Sequence, residues 1–138
     1  RYRSSAASDV YKRQVILGVN DTKNLTAARQ WQVDLTQLFF DLRVRIGPAP
    51  LIASGVPPMG LFPALPPPLR GFLNLRASLM DDALIAALSQ TPRSVYGGPL
   101  VGLTPEMFSR DRFHPGEPGY AAWADGLARI AVEAFFRD

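Results

Sequence analysis

The chain has 138 residues, 47% of them apolar and 20% charged, and carries a formal net charge of +3. That length and apolar content suit one globular domain with its own core, and are too small for two. No apolar run approaches the roughly 20 residues that cross a bilayer, so no membrane span is expected. The chain has no cysteine, which excludes disulfides, thiolate metal sites and a cysteine nucleophile.

The positive charge is concentrated at one end. Residues 1–14 hold Arg1, Arg3, Lys12 and Arg13 against Asp9, which is four of the fifteen basic residues and one of the twelve acidic ones. The remainder, with eleven of each, is neutral. A phosphate-binding surface needs clustered Lys and Arg on the folded body, so no nucleic-acid partner is expected. Residues 1–14 also lack helical or strand periodicity, and the pattern changes at Val15. They are expected to form a non-native or disordered tail, with the domain covering 15–138.

Val15-Ile16-Leu17 is a short run rich in β-branched residues that ends at Gly18, which suits a buried parallel strand leading into a loop. From Asn24 to Ile46 the apolar residues Ala28, Trp31, Leu35, Leu38, Leu42 and Ile46 recur at steps of three and four. This predicts a helix that Gly47-Pro48 stops. Leu51 to Ser54 reads as a second strand. Gly55 to Pro68 reads as a loop, with prolines at 57, 58, 63, 66, 67 and 68.

A second helix follows Pro68, with Phe72, Leu75, Leu79, Ala83 and Ala86 expected to face inward. Ser94-Val95-Tyr96 makes a third strand. Thr104-Pro105-Glu106 reads as a capped helical turn. Pro118 opens a last helix on which Tyr120, Trp123, Leu127, Ile130 and Ala134 share a face. This alternation of strand and helix predicts an α/β fold with a parallel sheet and right-handed crossovers.

Two groups carry chemistry. Gly18-Val19-Asn20-Asp21 follows a strand, where loops of an open parallel sheet line the ligand crevice. Asn20 can present an amide donor there, able to stabilise a developing oxyanion by roughly 3 to 4 kcal/mol. An Asn-Asp turn capping the next helix is the plain alternative, and Asp21 fits that structural role. His114 is the chain's one histidine, the side-chain type suited to proton exchange near neutral pH, and is the natural general base. Asp111, three residues earlier on the same loop, can accept from the second ring nitrogen and stabilise an imidazolium. A salt bridge to Arg110 or Arg112, or a cap, is the competing reading for that carboxylate.

These two groups, with Gly119-Tyr120 starting the last helix, resemble blocks of the SGNH (GDSL) family of ester hydrolases. The resemblance covers about residues 15–136. It implies a flavodoxin-like three-layer sandwich with its first strands missing. It also implies carboxylic ester or thioester hydrolysis through an acyl-enzyme, with a small-molecule ester as substrate. In that family His114 would match the catalytic base, Asp111 its orienting acid, and Asn20 with Gly18 the oxyanion hole. No cofactor and no metal is implied.

The chain departs from the family in its serines. None of those at 4, 5, 8, 54, 78, 89, 94 and 109 lies in Gly-Asp-Ser or Gly-x-Ser-x-Gly, so no nucleophile is assigned. Ser54, at a strand end, is the best of them, although the family places no nucleophile there. The chain is therefore expected to be the C-terminal portion of such an enzyme and inactive alone, or else a non-catalytic α/β binding or assembly module. The proline-rich loop is expected to supply an apolar acyl-binding wall from Val56, Met59, Leu61, Phe62 and Leu65. Core filling and a Pro63-Ala64-Leu65-Pro66 peptide motif are its alternatives.

Overall fold

The computed structural model describes residues 13–15, 24–99, 102 and 104–136. Three short strands, β1 (Arg13–Val15), β2 (Leu51–Ala53) and β3 (Ser94–Tyr96), form a parallel sheet in the order β1-β2-β3. Three helices accompany them: α1 (Ala28–Ile46), α2 (Leu69–Ser89) and α3 (Glu117–Phe135). Parallel neighbours need crossover connections, which α1 and α2 provide. The chain is thus an α/β fold with a small parallel sheet.

The first strand begins two residues before the boundary expected between 14 and 15. Arg13 and Gln14 pair with Leu51 and Ile52, and Val15 with Ala53. Ladder bonds are made by backbone groups, so a polar residue can extend a strand that side-chain pattern alone would end. Ile16 and Leu17 lie outside the described residues.

The core lies between the sheet and the two crossover helices. From α1 it takes Trp31, Leu35 and Phe39, from β2 Leu51 and Ala53, and from α2 Leu73, Ala77, Met80, Leu84 and Ala87. On α1 Phe39 takes the central place expected of Leu38, which is 37% exposed. Trp31 buries its ring and donates its indole N–H to the carbonyl of Met80 at 3.3 Å.

The expected inward face of α2 is corrected. Phe72, Leu75 and Leu79 are 50–62% exposed, and of the predicted set Ala83 is buried. Residues 73, 77, 80, 84 and 87 repeat at steps of four and three just as well. A helix apolar on both faces does not reveal by periodicity which face packs.

Alternate residues of β2 point to opposite faces. Leu51 and Ala53 are buried in the core, whereas Ile52 is half-buried on the other side. There α3 brings Leu127 against Gly97, where an added Cβ would stand 2.5 Å from Leu127 Cδ2 and 3.2 Å from Ile52 Cγ2. On α3 Leu127 is buried, Trp123 and Ile130 are half-buried, and Tyr120 and Ala134, expected inward, are exposed. No described helix is long and apolar enough to cross a membrane.

Polar bonds fasten the ends of these elements. The Arg43 guanidinium donates to the carbonyls of Gly47 (2.8 Å), Ala49 (2.6 Å) and Arg93 (3.3 Å) and also to that of Pro92. It thereby ties the end of α1 to the entries of β2 and β3. At the opposite end of the sheet, Asp81 of α2 accepts from the backbone N–H of Val56 at 2.9 Å and from the Tyr96 hydroxyl. Burial first, then the bond to Asp81 and its charge, raise the Tyr96 hydroxyl above the ordinary tyrosine range. Gly55 donates to Gly98 O at 2.8 Å beside this group. A Cβ at Gly55 would stand 2.6 Å from the Tyr96 hydroxyl and 2.7 Å from Gly98 O.

Candidate functional site

The loop between the 3₁₀ turn Pro105–Met107 and α3 carries His114 and Asp111. Its neck is closed by a bridge between Phe108 and Pro115, by Ser109 N donating to His114 O at 2.8 Å and by Gly116 N donating to Met107 O at 2.7 Å. Inside it Arg112 N donates to Ser109 O at 2.9 Å, and Arg112 takes a positive φ of 57°. The loop therefore reverses within a few residues and brings position 111 back against position 114.

Asp111 uses its two oxygens differently. Oδ1 accepts from the backbone N–H of Phe113 and of His114, each at 2.9 Å, and from the Ser109 hydroxyl at 2.7 Å. Oδ2 meets His114 Nδ1 at 2.5 Å. The cap and the imidazole partner, alternatives in the sequence, are two halves of one carboxylate. The hydrogen bond from the imidazole, then those from the two amides and the hydroxyl, hold the Asp111 carboxyl well below the usual carboxylate range. Both side chains remain open to solvent, His114 at 66% and Asp111 at 50% exposure. With Nδ1 engaged by the carboxylate, Nε2 is the nitrogen left for proton exchange.

Aromatic contacts back the loop. Phe113 meets the His114 ring edge to face at 5.4 Å and also packs against Phe62 of the proline-rich loop at 5.1 Å, itself 5.5 Å from Phe108. Ala64 N donates to Arg112 O at 3.2 Å. The expected acyl-binding wall is corrected: Val56, Met59, Phe62 and Leu65 are buried in the core, and of the five only Leu61 is exposed, at 38%. A loop this apolar gains more by filling the space over α2 than by facing water.

Gly18, Asn20 and Asp21 lie outside the described residues. Ser54 directly follows β2 and is 1% exposed, closed to any substrate. Among the described residues no group of three or more His, Cys, Asp or Glu is placed to hold a metal. A depression of about 630 Å³ runs along the outer face of α1 between Arg29, Val33 and Phe40, and none of its lining residues belongs to the His114 loop. The polar residue that sequence reasoning passed over is Ser109, set aside as lying in neither nucleophile motif. Its spacing two before Asp111 was the available clue, because Ser and Asp side chains bond locally across two residues.

The chain is similar to GDSL-like esterase Rv1075c of Mycobacterium tuberculosis, with 31% identity over 119 residues. The matched stretch is 82% of this chain and 37% of that protein, so the chain spans little more than a third of its relative. No family model matches the sequence. No solved structure matches it either.

Proposed function

We propose that this chain belongs to the GDSL ester hydrolases and carries the histidine–aspartate portion of their catalytic machinery, on a flavodoxin-like three-layer sandwich. The contact of His114 Nδ1 with Asp111 Oδ2 at 2.5 Å carries the reading, and the similarity to a GDSL-like esterase supports it. The domain includes Arg13 and Gln14, which pair in β1, and the attacking serine comes from sequence outside these 138 residues.

In this mechanism the serine hydroxyl adds to the acyl carbon of a small-molecule carboxylic ester or thioester while His114 Nε2 takes its proton. Asp111 stabilises the imidazolium through Nδ1. The oxyanion of the tetrahedral intermediate is held by the Asn20 amide with Gly18 beside it. Collapse breaks the ester bond, and the leaving alcohol or thiol departs with the proton from His114. Water, deprotonated by the same nitrogen, then releases the acid and restores the serine.

The test is a longer reading frame that includes an upstream Gly-Asp-Ser, assayed on a chromogenic short-chain ester. His114→Ala is expected to lower kcat by about 10⁴-fold or more, with KM little changed. Full turnover in that variant would overturn the proposal.

A further inference from the structure

We propose that Ser109 is the positioning residue of the His114–Asp111 pair, holding the carboxylate in the rotation that turns one oxygen to the imidazole. An ionised carboxylate offers about four lone-pair sites over two oxygens. Three donors converge on Oδ1: the Ser109 hydroxyl at 2.7 Å and the amides of Phe113 and His114 at 2.9 Å each. That oxygen is fully occupied, so Oδ2 alone is free for Nδ1. A half-turn of the carboxylate about its Cβ–Cγ bond would only exchange two equivalent oxygens, but a quarter-turn would break all of these bonds together.

Ser109 differs from the two amides in where it comes from. Phe113 and His114 lie on the far side of the turn, so their bonds close a local loop on Asp111 whatever the neck does. Ser109 sits at the neck, with its N–H bonded to His114 O at 2.8 Å and its carbonyl accepting from Arg112 N at 2.9 Å. Its hydroxyl lies 2.7 Å from Asp111 Oδ1 and 3.0 Å from His114 O, with one proton to give. The closer, charged acceptor takes it, as bonds to ionised groups are the stronger. The flanking charges, Arg110 and Arg112, belong to the same loop and are left unchanged in the test.

The consequence for catalysis rests on the hydrolase reading, whereas the effect on the side chains does not. The experiment therefore reads the 138-residue chain without turnover. In isotopically labelled protein, the Asp111 carboxyl carbon is titrated and the His114 ring nitrogens report the tautomer, for Ser109→Ala, Ser109→Thr and Ser109→Cys. Alanine is expected to raise the Asp111 titration midpoint by about one unit and to lower the share of the Nδ1–H tautomer about threefold. Threonine keeps the hydroxyl and is expected to restore both. Cysteine, similar in shape but a weak donor, is expected to behave as alanine does.

Unchanged midpoint and tautomer in the alanine or cysteine variant would overturn the proposal. So would a threonine variant that fails to restore them. Loss of ester turnover in the longer protein would leave all of these readouts standing, so the two ideas fail separately.

Discussion

The backbone N–H of Ala64 donates to the carbonyl of Arg112 at 3.2 Å, which joins the proline-rich loop to the turn that carries His114. Phe62, buried two residues earlier, fills the space between Phe108 and Phe113. Phe62→Ala is expected to lower stability by about 3 to 5 kcal/mol. Amide hydrogen exchange should also quicken from Ser109 to Gly116, beyond the rise seen elsewhere. Denaturant unfolding followed by exchange measurements checks both.

The two faces of α2 give a direct comparison. Leu73→Ala and Met80→Ala, at positions 5% and 1% exposed, are each expected to cost about 2 to 5 kcal/mol. Phe72→Ser and Leu79→Ser, on the open face, should change stability by about 0.5 kcal/mol or less. Chemical denaturation of the four variants separates the faces, and equal losses would reverse the assignment.

Arg43 holds four backbone carbonyls from three segments. Its planar fork is what allows this, and a lysine ammonium is a point donor. Arg43→Lys is expected to lose about 1 to 3 kcal/mol and Arg43→Ala more, through carbonyls left without partners. The thermal midpoint should follow the same order.

The Asp111 carboxyl titrates below its unfolded value near 4, so its ionised form favours the folded chain at every pH above about 4. That contribution fades as the pH falls from there toward the folded value. Exposure of both partners keeps it small. Unfolding of the parent chain and Asp111→Asn should differ at pH 5 and converge as the pH is lowered toward 2.

Tyr96 has the opposite sign. Its hydroxyl is raised in the folded chain, so the stabilisation is complete below the ordinary tyrosine value near 10 and is lost as the pH climbs past it. Tyr96→Phe is expected to cost about 1 to 3 kcal/mol at pH 7, since Asp81 loses a partner. The gap to the parent chain should narrow above pH 10.

The elements legible in the sequence are those whose signal is local. Gly47-Pro48 stops α1, and prolines bracket α2 and open α3, as chain geometry requires. Asp111 and His114 were legible because one turn spans them. The packed face of α2 was not, because Phe72 and Leu73 are equally apolar and only the rest of the fold chooses between them. The inward turn of Val56, Met59 and Phe62 was hidden for the same reason. Ser109 escaped notice because its role lies in a carboxylate two residues on rather than in any motif for attack.

Gly55 lies where the segments leaving β2 and β3 meet, with the main chain of Gly98 as its neighbour. A methyl group there would collide with peptide atoms that cannot swing aside. The two exits would then have to spread, prying Tyr96 from Asp81. Sequence drift has many routes through the outer faces of these helices, but at this crossing it meets a wall: a descendant that changes position 55 must rebuild the rim of its sheet.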